Sequence, residues 1–312
     1  MSKLQWLNKL PDNDIKNLVE SIDIVLFDLD GTLLHDKSSF PGANNTVAKL
    51  RALGKKIGFV TNNPAYIPEY WKKFLHPIEA VEGEIVTPNV VLLDYLKKTG
   101  FDKDIFAVTC PFTKTVLRNA GYKVIEYKDI QTEPLAEQIS GPNGLKNLAK
   151  KVLSICKNVG LVYLDVDINV QYGALQVSQT ILNQINDCKL LSGMSDDVTS
   201  MGKMLIICSH FYISAMERWT NKQALQMAKP GITLTKYLVS KYKIADASRV
   251  LMIGDNVLTD MAFGVNSGFK TCLVLGNLSS TSLVQNWTYP EEYKPDYVIS
   301  EVAEIFPSIK DF

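Results

Sequence analysis

The chain has 312 residues, 46% of them hydrophobic, with 33 basic and 33 acidic side chains and a formal net charge of zero. That length exceeds one ordinary domain and fits one large α/β body or two domains. The balanced charge argues against nucleic acid or an anionic membrane as the main partner.

The first clear element is "IDIVLF", a short apolar run rich in β-branched residues, which reads as a strand buried on both faces. "NNTVAKLRALG" follows with helical spacing and a glycine stop, and "KKIGFVTNN" is again an apolar strand that ends in polar residues. "TPNVVLLDYLKKTG" is a helix with Pro88 in its first turn and Gly100 past its end. "DIFAVT", "PFTKTVLRNAG" and "YKVIEY" read as strand, helix and strand. The helix "GLKNLAKKVLSICK" leads to the strand "VGLVYLDVD". A helix near 172–186, the segment "CKLLSG", a strand "KMLIICS" and a helix over about 211–227 come next. The last part alternates the helix "GITLTKYLVSKY", the strand "RVLMIGD", the helix "LTDMAFGVNSG" and the strands "KTCLVLG" and "DYVIS". Such alternation predicts βαβ units and a parallel sheet covered on both faces.

Three of these strands end in polar residues able to do chemistry: Asp28 and Asp30 after the first, Thr61-Asn62-Asn63 after the second, and Asp255 after "RVLMIG". Open parallel sheets bind ligands at the carboxyl ends of their strands, so the three clusters are expected in one crevice. Asp-Gly is also a common turn signal. Asp28, however, directly follows "IVLF", where an ionised carboxylate is costly without a counter-ion. A divalent cation supplies one, and Asp255 offers a second oxygen ligand. Asp260, five residues further on, suits a helix N-terminus and a supporting metal role equally well. A metal beside a strand-end carboxylate points to phosphoryl chemistry. Asp28 would attack phosphorus, Asp30 would move the proton, and Thr61 and Lys229 would meet phosphate oxygens.

Taken together, "DLDGT", "VTNN", Lys229 and "GDNVLTD" resemble, in order and in context, the haloacid dehalogenase (HAD) superfamily of phosphatases. The resemblance covers about 20–90 and 225–312. It implies a Rossmann-like doubly wound core, Mg2+ dependence, Asp28 as nucleophile and Asp30 as general acid and base. It also implies phosphate binding by Thr61, Asn62 and Lys229, and a metal held by Asp28, the Asp30 main-chain carbonyl and Asp255 with Asp260 supporting. Asp28 and Thr61 lie 33 positions apart, and Thr61 and Lys229 lie 168 apart. Only the second interval has room for an α/β cap domain, so the expected layout is a core of 1–90 and 225–312 with an inserted cap of 91–224. The wording is most similar to the 4-nitrophenylphosphatase, phosphoglycolate phosphatase and pyridoxal phosphatase group. That similarity implies a small phosphorylated metabolite as substrate and a homodimer formed through the cap.

Within the cap, Asp165 and Tyr172 match a stretch of that group. The lysine of its Tyr-x-Lys-Leu pattern is replaced here by Ala174, and its Thr-Asn-x-Asp loop by "SGMSDDVTSMGK". The altered loop leaves a second reading, a low-turnover binding or regulatory protein on the same fold, although Asp28, Asp30, Lys229 and Asp255 are all retained. A dehalogenase or a phosphonate hydrolase of the same superfamily fits less well; a dehalogenase needs no metal and has no use for Asp30 with Asp255. The three histidines, His35, His76 and His210, are not expected to bind metal. The five cysteines are scattered, with no C-x-x-C pair, and read as reduced thiols. Neither a signal-peptide core nor an apolar run of roughly 18 residues is present, so the expected location is the cytoplasm.

Overall fold

The computed structural model describes residues 4–35, 38–64, 75–81, 83–131, 137, 139–201, 204–276 and 286–305. The chain divides into two compact units. One comprises Met1–Thr61, Tyr66–Thr87 and Lys229–Phe312, and the other Asn62–Ala65 and Pro88–Ala228. Among the described residues, no helix is long and apolar enough to cross a membrane.

The first unit is built on a seven-stranded sheet, ordered Gln5–Trp6, Tyr297–Ile299, Lys270–Val274, Val250–Gly254, Ile24–Phe27, Lys56–Val60 and Ile85–Val86. All neighbours in it run parallel. Every residue of Ile24–Phe27 is buried, as a strand covered on both faces requires. Ile15 and Leu18 of the Asp12–Glu20 helix and Val47 and Leu50 of the Ala43–Ala52 helix join Val25, Phe27, Phe59 and Ile253 in one apolar cluster. The Ile232–Tyr242 helix buries Leu234 and Leu238, and its Tyr242 hydroxyl donates to the Ile57 carbonyl at 3.2 Å.

The second unit has a five-stranded parallel sheet, ordered Leu225–Gln226, Lys189–Ser192, Val159–Leu164, Asp104–Val108 and Val124–Ile125. Its apolar cluster gathers Phe106, Val162, Leu164 and Leu190 with Val152, Val177, Ile181 and Met216 from three helices. A separate two-stranded ribbon pairs Val198–Met201 antiparallel to Met204–Ile207. This ribbon exposes Val198, Met204, Leu205 and Ile207.

Several elements differ from the sequence expectation. The strand "KMLIICS" belongs to the antiparallel ribbon, not to the parallel sheet, and its partner Val198–Met201 was not anticipated. The helix expected over about 211–227 spans His210–Thr220. Asn221 takes a left-handed conformation (φ 52°), and Leu225–Gln226 then adds a sheet strand. The helix expected from Leu258 onward begins as a wide π turn, Val257–Met261, before Ala262–Asn266. The Asp12–Glu20 helix is a further element beyond those expected from the sequence. Its start is set by Pro11 and by Asp12 and Asp14 in the first turn.

Candidate active site

Asp28, one residue past the Ile24–Phe27 strand, still donates its N–H to the Ile253 carbonyl at 2.8 Å. The chain then reverses. The N–H groups of Thr32, Leu33 and Leu34 all turn back to the Leu29 carbonyl, at 3.2, 2.9 and 2.9 Å. Gly31 sits in this reversal at φ 92°, and a Cβ there would stand 2.2 Å from Asp255 Oδ2. Both the backbone conformation and the approach of Asp255 therefore require glycine.

Lys229 is 2% exposed and reaches into the same place. Its ammonium donates to Asp28 Oδ1 at 2.5 Å and to the Val60 carbonyl at 2.8 Å, and pairs with Asp260 Oδ1 at 2.7 Å. Asp260 Oδ2 accepts the Asn256 N–H at 3.0 Å, and Asn256 Oδ1 caps the π turn by accepting from Leu258 and Thr259. The Thr32 hydroxyl approaches Asp28 Oδ2 at 3.3 Å.

One ammonium faces three carboxylates here. Burial pushes the Asp28 carboxyl well above its ordinary range. Lys229 opposes that push, and Asp260 and Asp255 add to it. Burial, reinforced by Asp260, raises Asp255 to about 7. Lys229 feels burial in the opposite sense, but Asp260 and Asp28 outweigh it and hold the ammonium charged. One oxygen from each of Asp28, Asp255 and Asp260 lies within 4.8 Å of the others. Surplus negative charge, an all-oxygen donor set and burial fit a hard divalent cation such as Mg2+.

The fold thus brings together Asp28, Lys229, Asp255 and Asp260. Asp30 is exposed, and its carboxylate is not one of the three that can share a cation. Thr61 is 3% exposed and donates its N–H to Val86 within the sheet at 3.0 Å. Asn62 belongs to the second unit, where its amide donates to Asp196 Oδ2 at 3.0 Å. Of the two residues singled out in that unit, Asp165 is fully buried, whereas Tyr172 opens its helix and is 72% exposed. Thr32, Asn256 and Asp196 were not identified from the sequence. Thr32 lay within the quoted "DLDGT" and Asn256 within "GDNVLTD", but only the folded turn shows what they touch.

Two family descriptions match the chain: "Haloacid dehalogenase-like hydrolase" over residues 25–123 and "HAD-hydrolase-like" over 226–305. Together they span more than half of its length and contain every residue of the Asp28–Lys229–Asp255–Asp260 cluster. The chain is 29% identical to phosphoglycolate phosphatase 2 of Arabidopsis thaliana over 304 residues, covering 95% of this chain and 96% of that one. It is 24% identical to the 4-nitrophenylphosphatase of Schizosaccharomyces pombe, covering 94% and 96%. In fold it is similar to the crystal structure of a 4-nitrophenylphosphatase from Thermotoga maritima, with a TM-score of 0.72, 20% identity, and coverage of 94% of this chain and 99% of that one. With the strand-end carboxylates, the buried lysine and the doubly covered parallel sheet, these likenesses agree: the chain belongs to the haloacid dehalogenase-like hydrolases.

Proposed function

We propose that the protein is a phosphomonoesterase that works through an aspartyl-phosphate on Asp28. The observation that carries this reading is the cluster of buried Asp28 and Asp260 with half-buried Asp255, in which the Lys229 ammonium pairs with Asp28 and Asp260. Relatives named phosphoglycolate phosphatase and 4-nitrophenylphosphatase over nearly the whole chain support it.

An Asp28 oxygen attacks phosphorus. The bond from phosphorus to the ester oxygen breaks, and that oxygen takes a proton from Asp30. Water then attacks the phosphorus of the aspartyl-phosphate, Asp30 takes the water's proton, and the bond to Asp28 breaks to release inorganic phosphate. Asp30 suits this work because it is exposed while Asp28 is buried, so the proton carrier is the carboxylate nearer solvent. Lys229, fixed by Asp28, Asp260 and the Val60 carbonyl, presents a permanent positive charge to the phosphoryl oxygens. The Thr61 hydroxyl and Asn62 bind the same oxygens. Asp28, Asp255 and the Asp30 carbonyl, supported by Asp260, would hold Mg2+, which would supply positive charge to neutralise the phosphoryl oxygens. The Asn62–Ala65 and Pro88–Ala228 unit serves as the cap. A homodimer through the cap would use the exposed apolar ribbon residues Leu205 and Ile207, which sedimentation velocity with and without Leu205→Glu tests.

A small phosphate monoester, with a phosphoglycolate-like metabolite among the candidates, is the substrate class. The test is hydrolysis of 4-nitrophenyl phosphate with Mg2+, with chelator, and by Asp28→Asn. Turnover that chelator and Asp28→Asn both abolish is expected. Undiminished turnover by Asp28→Asn would refute the reading.

A further inference from the structure

Asn62 follows Thr61 directly, and its partner Asp196 lies on a segment pinned from several sides. The Gly193 N–H donates to the Leu164 carbonyl at 3.0 Å, and the Met194 N–H donates to Asp165 Oδ1 at 3.1 Å. The Met194 carbonyl accepts the Ser209 hydroxyl. The N–H groups of His210 and Cys208 close on the Asp196 and Asp197 carbonyls at 3.3 and 2.8 Å.

Asp165 anchors this segment. Its carboxylate also accepts the Val166 N–H at 2.7 Å and the Tyr163 hydroxyl at 3.0 Å, while its carbonyl accepts from Tyr212. A Cβ at residue 193 would stand 2.0 Å from Asp165 Oδ2, so only glycine lets the chain pass so close. The segment that replaces the Thr-Asn-x-Asp loop of the family pattern is therefore a built structure, and it delivers one carboxylate to Asn62. Asn62, Asp165 and Asp196 all lie in the same unit.

We propose that Asp196 is a positioning residue for phosphoryl binding. It fixes the Asn62 side chain, and through the peptide plane that Asn62 shares with Thr61 it fixes the turn that presents the Thr61 hydroxyl. Asp165 holds Asp196 in place through Gly193 and Met194. A charge-assisted hydrogen bond restricts a rotatable amide more strongly than a neutral one. Small misplacements of phosphate-binding groups weaken every phosphate ligand alike. The proposal rests on the phosphatase reading, and it differs from leaving-group recognition by the same loop because it acts on the part common to all the esters.

The experiment measures KM for an aryl ester (4-nitrophenyl phosphate) and an alkyl ester (glycerol phosphate), together with the inhibition constant for inorganic phosphate. The proteins are wild type, Asp196→Ala, Asp196→Asn, Asn62→Ala and the double alanine variant. Asp196→Ala is expected to weaken all three ligands by one common factor, on the order of tenfold. Asp196→Asn, which keeps an acceptor oxygen, should recover most of that loss. The double variant should be no worse than Asn62→Ala. A change confined to one ester with the phosphate constant unmoved would overturn the proposal, as would additive losses in the double variant. Absence of wild-type turnover would count against the phosphatase reading alone; calorimetric titration of inorganic phosphate into the same proteins then supplies the ratios that decide the role of Asp196.

Discussion

Each of the two parallel sheets ends an inner strand in a buried aspartate, and the two aspartates are partnered in opposite ways. Asp28, after Ile24–Phe27, faces the Lys229 ammonium and lies close to Asp255 and Asp260. Asp165, after Val159–Leu164, is held by two backbone N–H groups and the Tyr163 hydroxyl, all neutral donors. Burial raises both carboxyls, Asp165 to about 7 and Asp28 well above the ordinary range. The contrast separates two uses of one structural position. A carboxylate crowded by other charges forms a place for an incoming cation and phosphoryl group, whereas one satisfied by neutral donors is a clamp.

The largest effect is expected at Asp28. Asp28→Asn keeps the shape of the side chain but removes the attacking oxygen's charge. Steady-state kinetics should show kcat lower by roughly 10³-fold or more, while the far-ultraviolet circular dichroism stays that of the wild type. Residual turnover within a few-fold of wild type would mean that Asp28 is a clamp too.

Lys229→Met is the next largest effect expected. It leaves Asp28 and Asp260 buried without their cation, a loss of about 3–5 kcal/mol in chemical denaturation. A change under about 1 kcal/mol would show that the ion pairs contribute little to the fold.

Asp165 should reveal itself through pH. Its folded value of about 7 lies above the ordinary 3.8, so the native state holds the proton more tightly than the unfolded chain. The stability this gives is fully present below about pH 4 and is lost as pH rises to about 7, with no further change above. Asp165→Asn can still accept both N–H groups through its oxygen and donate to Tyr163. The variant should lack this decline, so its unfolding free energy relative to wild type should improve by about 2–4 kcal/mol between pH 4.5 and 7.5. Parallel pH profiles would exclude the clamp reading.

The smallest effect is that of the metal on stability. Mg2+ at about a hundred times its dissociation constant should stabilise the wild type by about 2.7 kcal/mol. Asp255→Asn should lose most of that gain, whereas Asp165→Asn should keep it. Equal responses in the two variants would mean that the three-carboxylate cluster is not where Mg2+ binds.

Much of this architecture is legible in the residues, for identifiable reasons. Strands such as Ile24–Phe27 and Val250–Gly254 are buried on both faces, so they appear as continuous apolar runs, and the polar residues that stop them mark the ligand end of the sheet. The Val198–Met201 strand gave no such signal. Val-Thr-Ser-Met is neither a continuous apolar run nor a regular alternation, and its identity depends on the facing strand. Candidates for the site could be named from local motifs, but their partners could not. Lys229 meets Asp28 across 201 positions of chain, and Asn62 meets Asp196 across 134, distances over which no periodicity carries information. The clamp function of Asp165 was illegible for the same reason, because Gly193 and Met194 reach it only after the sheet has formed.

The most direct measurement is rapid acid quench during turnover of a phosphate ester, followed by peptide mass spectrometry. One phosphoryl group on the peptide containing Asp28, transient in wild type and absent from Asp28→Asn, is the predicted result. Turnover with no phosphorylated peptide at any quench time, or with the phosphoryl group on another residue, would contradict it.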